Sequence, residues 1–317
     1  MEPTKLVKTQ SGKDLLSANT TESRQVFGKL LYEGELGILF GDSNTGKSIL
    51  ANDIAFFVCG GGHEWKDMVS PNIPTMYIDM EMRASQFANR YRNAGDYMTD
   101  NYKRAEVNVL MSKEDNLFNA IKTEIIYQQG NENPPKFIII DNITNGFGSI
   151  LSATKMRTLI SDLKNLKDRF DLTILLIAHC PKRKKNKPIT DNDLGGSSML
   201  IKFCDSAFAI APSYVGDEYK YLKQIKTRES EKMKTVMTLK IVPEPYLHME
   251  YIDNVEEDSH LNPKKNDLWY LEITPEIEIK LVRLLKDKQY CYSEIAEELG
   301  ISLDAVVSYN FENNLAV

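Results

Sequence analysis

The chain has 317 residues, 42% hydrophobic and 26% charged, with a formal net charge of -6. That is enough material for one large core and a small satellite, and the acidic balance excludes a protein that coats nucleic acid through overall charge, so any such contact must be local. No run of about eighteen apolar residues occurs and the opening MEPTKLVKTQSGKD lacks an apolar signal stretch, so neither a membrane span nor export is expected and the protein reads as cytoplasmic. Cys59, Cys180, Cys204 and Cys291 lie far apart without CxxC spacing, and read as buried free thiols rather than zinc ligands or disulfides.

Residues 1–30 are polar and weakly patterned, which predicts an arm outside the core. A large α/β domain is expected over 31–253. Within it short apolar runs, GILF (37–40), TMYIDM (75–80), VNVLM (107–111), FIII (137–140) and LTILLIA (172–178), alternate with stretches of helical period. The covering helices fall at Ser48–Val58, Ala84–Ala94, Asn116–Gln129 and Thr154–Phe170. After Cys204 the runs SAFAIA, KYLKQIK, TVMTLKIV and YLHMEYI follow one another without helices, which predicts antiparallel strands added at one sheet edge. The fold class is therefore α/β, a mixed but mainly parallel sheet sandwiched by helices. Residues 254–267 are charged and hold a proline, as a linker would, and 268–317 read as a small helical unit.

GDSNTGKS (41–48) follows an apolar strand and opens a helix, the context of a G-x-x-x-x-G-K-[ST] phosphate loop. Its candidate nucleotide-binding residues are Gly41, Asp42, Ser43, Asn44, Thr45, Gly46, Lys47, Ser48 and Ile49. In such a loop backbone N–H groups at a helix N-terminus wrap a phosphate, a lysine neutralises the β and γ phosphates and a serine hydroxyl holds Mg²⁺, so ATP and Mg²⁺ are the expected cofactors. Asp141, at the end of KFIIID, is the candidate acid that orients the ion with Ser48. The strand TMYIDM ends beside the expected phosphate at Asp79 and Glu81, with Glu81 the candidate general base and Asp79 the alternative. His179 ends LTILLIA where a polar side chain can sense the γ-phosphate, although a strand-end histidine is also commonly structural.

Taken together, GDSNTGKS, YIDMEM with the following SQFANRYR, FIIIDN and LLIAHCPK resemble the RecA-like P-loop ATPase superfamily, particularly RepA-like and DnaB-like hexameric helicases, over about residues 34–252. The resemblance implies Glu81 as catalytic base and His179 as γ-phosphate sensor, and matches Lys226 and Arg228 of YLKQIKTRES to a Lys-x-Arg pair inserted from a neighbouring subunit, with Arg228 as an arginine finger. It thus implies a homo-oligomer, a hexamer in that family. The family's two DNA-contacting loops fall here on Asn142–Thr154 and Pro181–Ser198, the second opening with KRKKNK, so Lys182, Arg183, Lys184, Lys185 and Lys187 become candidate contacts to single-stranded DNA. No counterpart is expected in these residues to the large N-terminal domain of DnaB-type helicases or to the homologous-pairing region of RecA, which argues against a main replicative or recombinase role.

The C-terminal YSEIAEELGISLDAVVSYNF resembles a helix-turn-helix, with Gly300 at the turn and Ile295, Leu299, Ile301 and Val306 as core. Its second helix carries no arginine or lysine, so a protein-packing bundle explains it as well as a DNA reader does. Three functions remain in view: a DNA-stimulated ATPase, specifically a ring helicase of a plasmid, phage or other mobile element; a non-unwinding regulatory or assembly ATPase; and a KaiC-like signalling ATPase.

Overall fold

A computed structural model describes residues 9, 11–17, 23–107, 114–143, 153–181, 184, 186–194, 198–261, 268–287 and 290–313. Strands β1 (Gln25–Phe27) and β2 (Leu31–Tyr32) form a small hairpin after the short helix α1 (Gly12–Ser17). The main sheet comprises β3 (Leu36–Gly41), β4 (Thr75–Asp79), β5 (Tyr102–Glu106), β6 (Phe137–Asp141), β7 (Thr173–His179), β8 (Ser206–Pro212), β9 (Tyr219–Lys226), β10 (Val236–Val242) and β11 (His248–Val255). Its nine strands, counted among the described residues, run in the order β11-β10-β9-β8-β3-β7-β6-β4-β5. From β8 to β5 all neighbours are parallel, and β9, β10 and β11 continue antiparallel. SAFAIA therefore belongs to the parallel part, and the antiparallel addition begins one strand later than its spacing suggested.

The central strands are buried on both faces, which is why they read as runs of Ile, Leu and Phe rather than as alternations. Helices α2 (Lys47–Val58), α3 (Ala84–Arg90), α4 (Glu114–Gln128), α5 (Ala153–Phe170) and α6 (Ser198–Phe203) connect or flank them. In α5, Met156, Leu159, Ile160, Leu163 and Leu166 recur at spacings of three and four and enter the core beside Ile138, Ile174 and Leu176. On the other face Leu50, Ile54 and Phe57 of α2 share a core with Leu39, Ile139, Ile177, Phe208, Met237 and Met249. Helix α2 is thus enclosed nearly all round, and its N-terminus is fixed by packing on both sides.

Three expectations change. Residues 25–31 are not an arm: Val26, Phe27, Leu30 and Leu31 are buried, and Phe27 meets Trp65 edge to face at 4.8 Å between centroids. The strand expected at VNVLM lies instead at β5, Tyr102–Glu106, while 108–113 fall outside the described residues. The expected linker is packed as far as 261. Val255 closes β11, and Glu257 accepts from Ile189 N at 2.9 Å and from the Lys223 ammonium. In α7 (Asp258–Leu261) the fully buried His260 contacts Ser213 Oγ at 2.9 Å and Thr238 Oγ1 at 3.1 Å. Burial lowers that imidazole to about 4, so it is neutral.

The C-terminal unit holds α8 (Pro275–Lys286), α9 (Tyr292–Leu299) and α10 (Leu303–Asn313). Thr274 caps α8 by accepting from Ile277 N, with Pro275 at the first turn. Gly300 takes φ +67° and Ile301 N returns to Ala296 O at 3.1 Å, a glycine-closed helix end. Leu281, Ile295, Ala296, Val306 and Tyr309 form its core, with Leu299 and Ile301 packed against it. No helix among the described residues is long and apolar enough to cross a membrane.

Ile139, fully buried between β4 and β7, reports on this core. Ile139→Ala is expected to destabilise the fold by about 2–5 kcal/mol, seen as a lower urea midpoint at unchanged denaturant slope.

Candidate functional site

Parallel pairing sets Gly41 beside His179 and Asp79 beside Asp141, so the ends of β3, β7, β4 and β6 meet at one edge of the sheet. The loop from Gly41 to Gly46 crosses that edge into α2. Gly41 has no room for a side chain, since a Cβ would lie 2.3 Å from Ile210 O, and Gly46 turns the chain into the helix at φ +89°. Asn44 is also left-handed, at φ +63°. Thr45 Oγ1 donates to Asp42 O at 2.9 Å and Lys47 Nζ to the same carbonyl at 2.6 Å, so the loop folds over its own lysine. No side chain caps the N-terminus of α2, which leaves its leading N–H groups for an anion.

Lys47 is 4% exposed, and burial lowers its ammonium from the usual lysine range, opposed by the negative character of Cys180, Asp141, Glu81 and Asp42. Asp141 is buried, and desolvation pushes its carboxyl up to about 6, against the Tyr77 hydroxyl and the Ser48 hydroxyl, which draw it down. Tyr77 donates to Oδ2 at 2.5 Å. Oδ1 is buried with no hydrogen bond of standard geometry closing it. A buried carboxylate oxygen without a partner, facing a serine at the head of an uncapped helix, fits a hydrated Mg²⁺, with Ser48 and Asp141 as the residues that would hold it.

Glu81 and His179 come together across the cleft edge, with Nε2 3.2 Å from Oε1. The hydrogen bond to His179 holds the Glu81 carboxyl below its ordinary range, partly opposed by burial and helped by charge on His179, Lys47 and Arg90. Asn142 joins them: its amide nitrogen donates to Glu81 Oε1 and lies 2.7 Å from His179 Nε2. Asp79, the alternative base, is committed elsewhere. Its Oδ1 accepts from Glu81 N at 2.9 Å and Met82 N at 2.8 Å, and its Oδ2 takes both Arg104 Nε at 3.0 Å and Nη2 at 2.8 Å. It builds the turn that carries Glu81.

Lys226 and Arg228 are not part of this cluster. Lys226 pairs with Ala207 near the start of β8, at the opposite edge of the sheet. Its ammonium caps α6 through Ile201 O at 2.7 Å and Cys204 O at 2.6 Å, while Arg228 pairs with Asp205 at 3.0 Å. Strand β9 is also interior, between β8 and β10, rather than an exposed edge. Of the basic run, Lys184 and Lys187 are exposed, and Lys182, Arg183 and Lys185 lie outside the described residues, as do 144–152 of the other expected loop.

Sequence reasoning missed Tyr77, Arg104, Asn142 and Asp53. No spacing marks the first three. Asp53 lies one helical turn and a half beyond the phosphate loop, fully buried, accepting from Met249 N at 2.7 Å, with burial driving its carboxyl well above the ordinary range. The thiols are free, three of them buried as expected, and Cys291 exposed.

Two outcomes follow from these environments. Asp79→Asn should lower thermal stability, because Arg104 loses a buried ion pair of the kind whose disruption costs about 3–5 kcal/mol, while leaving the pH dependence of turnover intact. Because Asp141 must ionise to attract a cation, Mg²⁺-dependent nucleotide binding should weaken as the pH falls through about 6, and Asp141→Asn should bind weakly without that slope. Isothermal titration across that interval checks it, and a wild-type affinity flat with pH contradicts it.

Residues 2–185, more than half of the chain, match the AAA_25 family, described as AAA domain. A search of curated proteins gives no match. Among solved structures, the flagellar accessory protein FlaH of Methanocaldococcus jannaschii is 15% identical, with 71% of this chain and 92% of that chain covered at a TM-score of 0.49. A KaiC-like protein of Pyrococcus horikoshii OT3 is 16% identical, with 72% and 95% covered at a TM-score of 0.50, a likeness of fold. With the phosphate loop, the strand-end acid and the mainly parallel sheet in place, the chain belongs to the AAA_25 family and is a P-loop ATPase of the RecA-like type.

Proposed function

We propose that the chain is a ring-forming ATPase stimulated by single-stranded DNA, specifically a RepA-like helicase of a plasmid, phage or other mobile element. The observation that carries this reading is the junction between the phosphate loop and the basic run. Cys180 N donates to Gly41 O at 3.0 Å and its thiol to Asp42 Oδ1 at 3.0 Å, so KRKKNK leaves the sheet two residues after a direct bond to the nucleotide loop. Five cations there suit backbone phosphates of either sequence or strand. A change in the loop on nucleotide turnover is thereby passed to the segment that would hold DNA.

In this scheme Lys47 neutralises the phosphates, Glu81 orients and deprotonates water, and His179 registers the γ-phosphate. Bound Mg²⁺ would neutralise further phosphate charge beside Ser48 and Asp141. Lys226 and Arg228, at the sheet edge away from their own loop, can meet a γ-phosphate only from a neighbouring copy, which supports a ring or filament and a finger acting in trans.

A second reading rests on the C-terminal unit. Helices α9 and α10 carry no lysine or arginine, and α10 exposes Leu303, Val307 and Phe311 at intervals of four. That face suits a protein contact better than a phosphate backbone, as a regulatory or KaiC-like signalling ATPase would use.

Steady-state ATP hydrolysis with and without single-stranded DNA separates the two, with Glu81→Gln as the inactive control. Stimulation that weakens as salt rises supports the helicase; turnover indifferent to DNA supports the regulatory ATPase. Arg228→Ala should lower turnover by about 10³-fold or more while retaining nucleotide. Mixed with Lys47→Ala it should partly recover activity, and absence of recovery would remove the trans assignment.

A further inference from the structure

A cleft of about 560 Å³ lies between the hairpin at 25–30, residues 66–68, the segment entering β10, and β11. It shares no residue with the phosphate loop or with the ends of β4, β6 and β7. Met68, Met233, Met237 and Tyr251 give it an apolar lining; Met237 is buried in the core, and the other three are only partly buried. Methionine is unbranched and polarisable, so a surface made of it moulds to an inserted apolar group. Around this lining stand four exposed lysines, Lys29, Lys66, Lys232 and Lys234, against two acids, Asp67 and Glu231. Lys66 lies over the Tyr251 ring, 5.7 Å from its centroid, and among the described residues no carboxylate pairs with any of the four. The group that fits such a cleft is apolar with acidic flanks.

The chain itself carries one. On α10, Leu303, Val307 and Phe311 are 48%, 42% and 82% exposed, and their spacing of four sets them along one stripe, while Ala305, Val306, Tyr309 and Asn310 turn inward. Asp304 and Glu312 each follow directly on one of these positions and border the stripe. Helices α9 and α10 together hold five acids and no lysine or arginine. An apolar stripe left in water in this way marks a contact surface. Two copies of α10 laid face to face would oppose acid to acid, whereas the cleft opposes lysine to acid. None of the three exposed side chains lines the cleft of its own chain.

We propose that α10 of one copy docks into this cleft of a second copy, as a helix in a groove, with Leu303, Val307 and Phe311 anchored on the methionines and Tyr251 and with Asp304 and Glu312 meeting the lysine rim. The contact joins two different surfaces, so it runs head to tail and repeats around a ring or along a filament. It uses neither the nucleotide site nor the basic run at 182–187, and stands apart from the helicase reading.

The test mixes two full-length chains without nucleotide, each carrying Cys291→Ser to remove the exposed thiol, one with Val307→Cys and the other, with a longer tag, with Met233→Cys. Mild oxidation is expected to link unlike chains far more than like ones. Links mainly between two Val307→Cys chains would overturn the proposal in favour of α10 against α10, and absence of unlike pairs would overturn it outright. Linkage confined within a single chain that carries both cysteines would overturn it too, by giving the cleft to the chain's own helix. A second measurement needs no cysteine: light scattering should show self-association weakened about 10-fold or more by Lys232→Glu with Lys234→Glu, and likewise by Asp304→Lys with Glu312→Lys. Mixing these two charge-reversed chains should restore association, because each cleft then meets a helix of opposite charge. Wild-type association in both variants, no restoration on mixing, or a wild type that stays monomeric would each sink the proposal. Arg228→Ala should leave this association unchanged, which separates its failure from that of the trans finger.

Discussion

The site depends on one constraint, the parallel register of β3, β7, β6 and β4. Parallel strands begin and end together, so residues separated by as much as 138 positions, such as Gly41 and His179, finish side by side. Gly41, Asp141 and His179 are the last residues of β3, β6 and β7, and Glu81 follows two residues after Asp79, the last of β4. A slip of one residue in any pairing would turn its strand end to the other face of the sheet. The all-round burial of α2 fixes the remaining coordinate, the direction of the helix N-terminus.

Charge at this edge is arranged by the partners each carboxylate finds. Asp79 is buried and is answered by Arg104 and two backbone N–H groups, so it holds the turn. Asp141 is enclosed and only partly answered, by Tyr77, which leaves an oxygen suited to a cation. Glu81 is half open, and its carboxyl is drawn down by neighbours rather than pushed up. Three acidic residues within one cleft thus sit in three different surroundings, which composition alone could not sort.

Much of this arrangement was legible in the sequence. Strands buried on both faces appear as apolar runs, so β3, β4, β6 and β7 could be read to within a residue or two, and the glycine spacing with its flanks identified the phosphate loop. The misses share a cause. Strand β5, YKRAE, lies at the sheet edge, and its role is to bring Arg104 onto Asp79, so it carries no apolar run. The hairpin at 25–32 is too short to show a period, and Glu257 and His260 looked like linker residues because their partners, Lys223, Ser213 and Thr238, are distant in sequence. Asn142 is illegible for a different reason: a single amide finds its partners only when Glu81 and His179, distant in sequence, are placed beside it.

The same register sets the basic pair at the end of β9 apart from the phosphate loop. Transfer of a γ-phosphoryl group spreads negative charge that Lys47 alone, already lowered by burial, is poorly placed to balance, and arginine supplied from outside is the usual remedy. In this chain the basic pair that resembles such a device is held at the far edge by bonds of its own. Lys226 closes the end of α6, and Arg228 pairs with Asp205, whose other oxygen holds Leu36 N at 2.9 Å at the start of β3. Asp205 thus joins Arg228 to the first residue of the strand that ends in the phosphate loop, so the two ends of β3 carry the basic pair's anchor and the nucleotide loop.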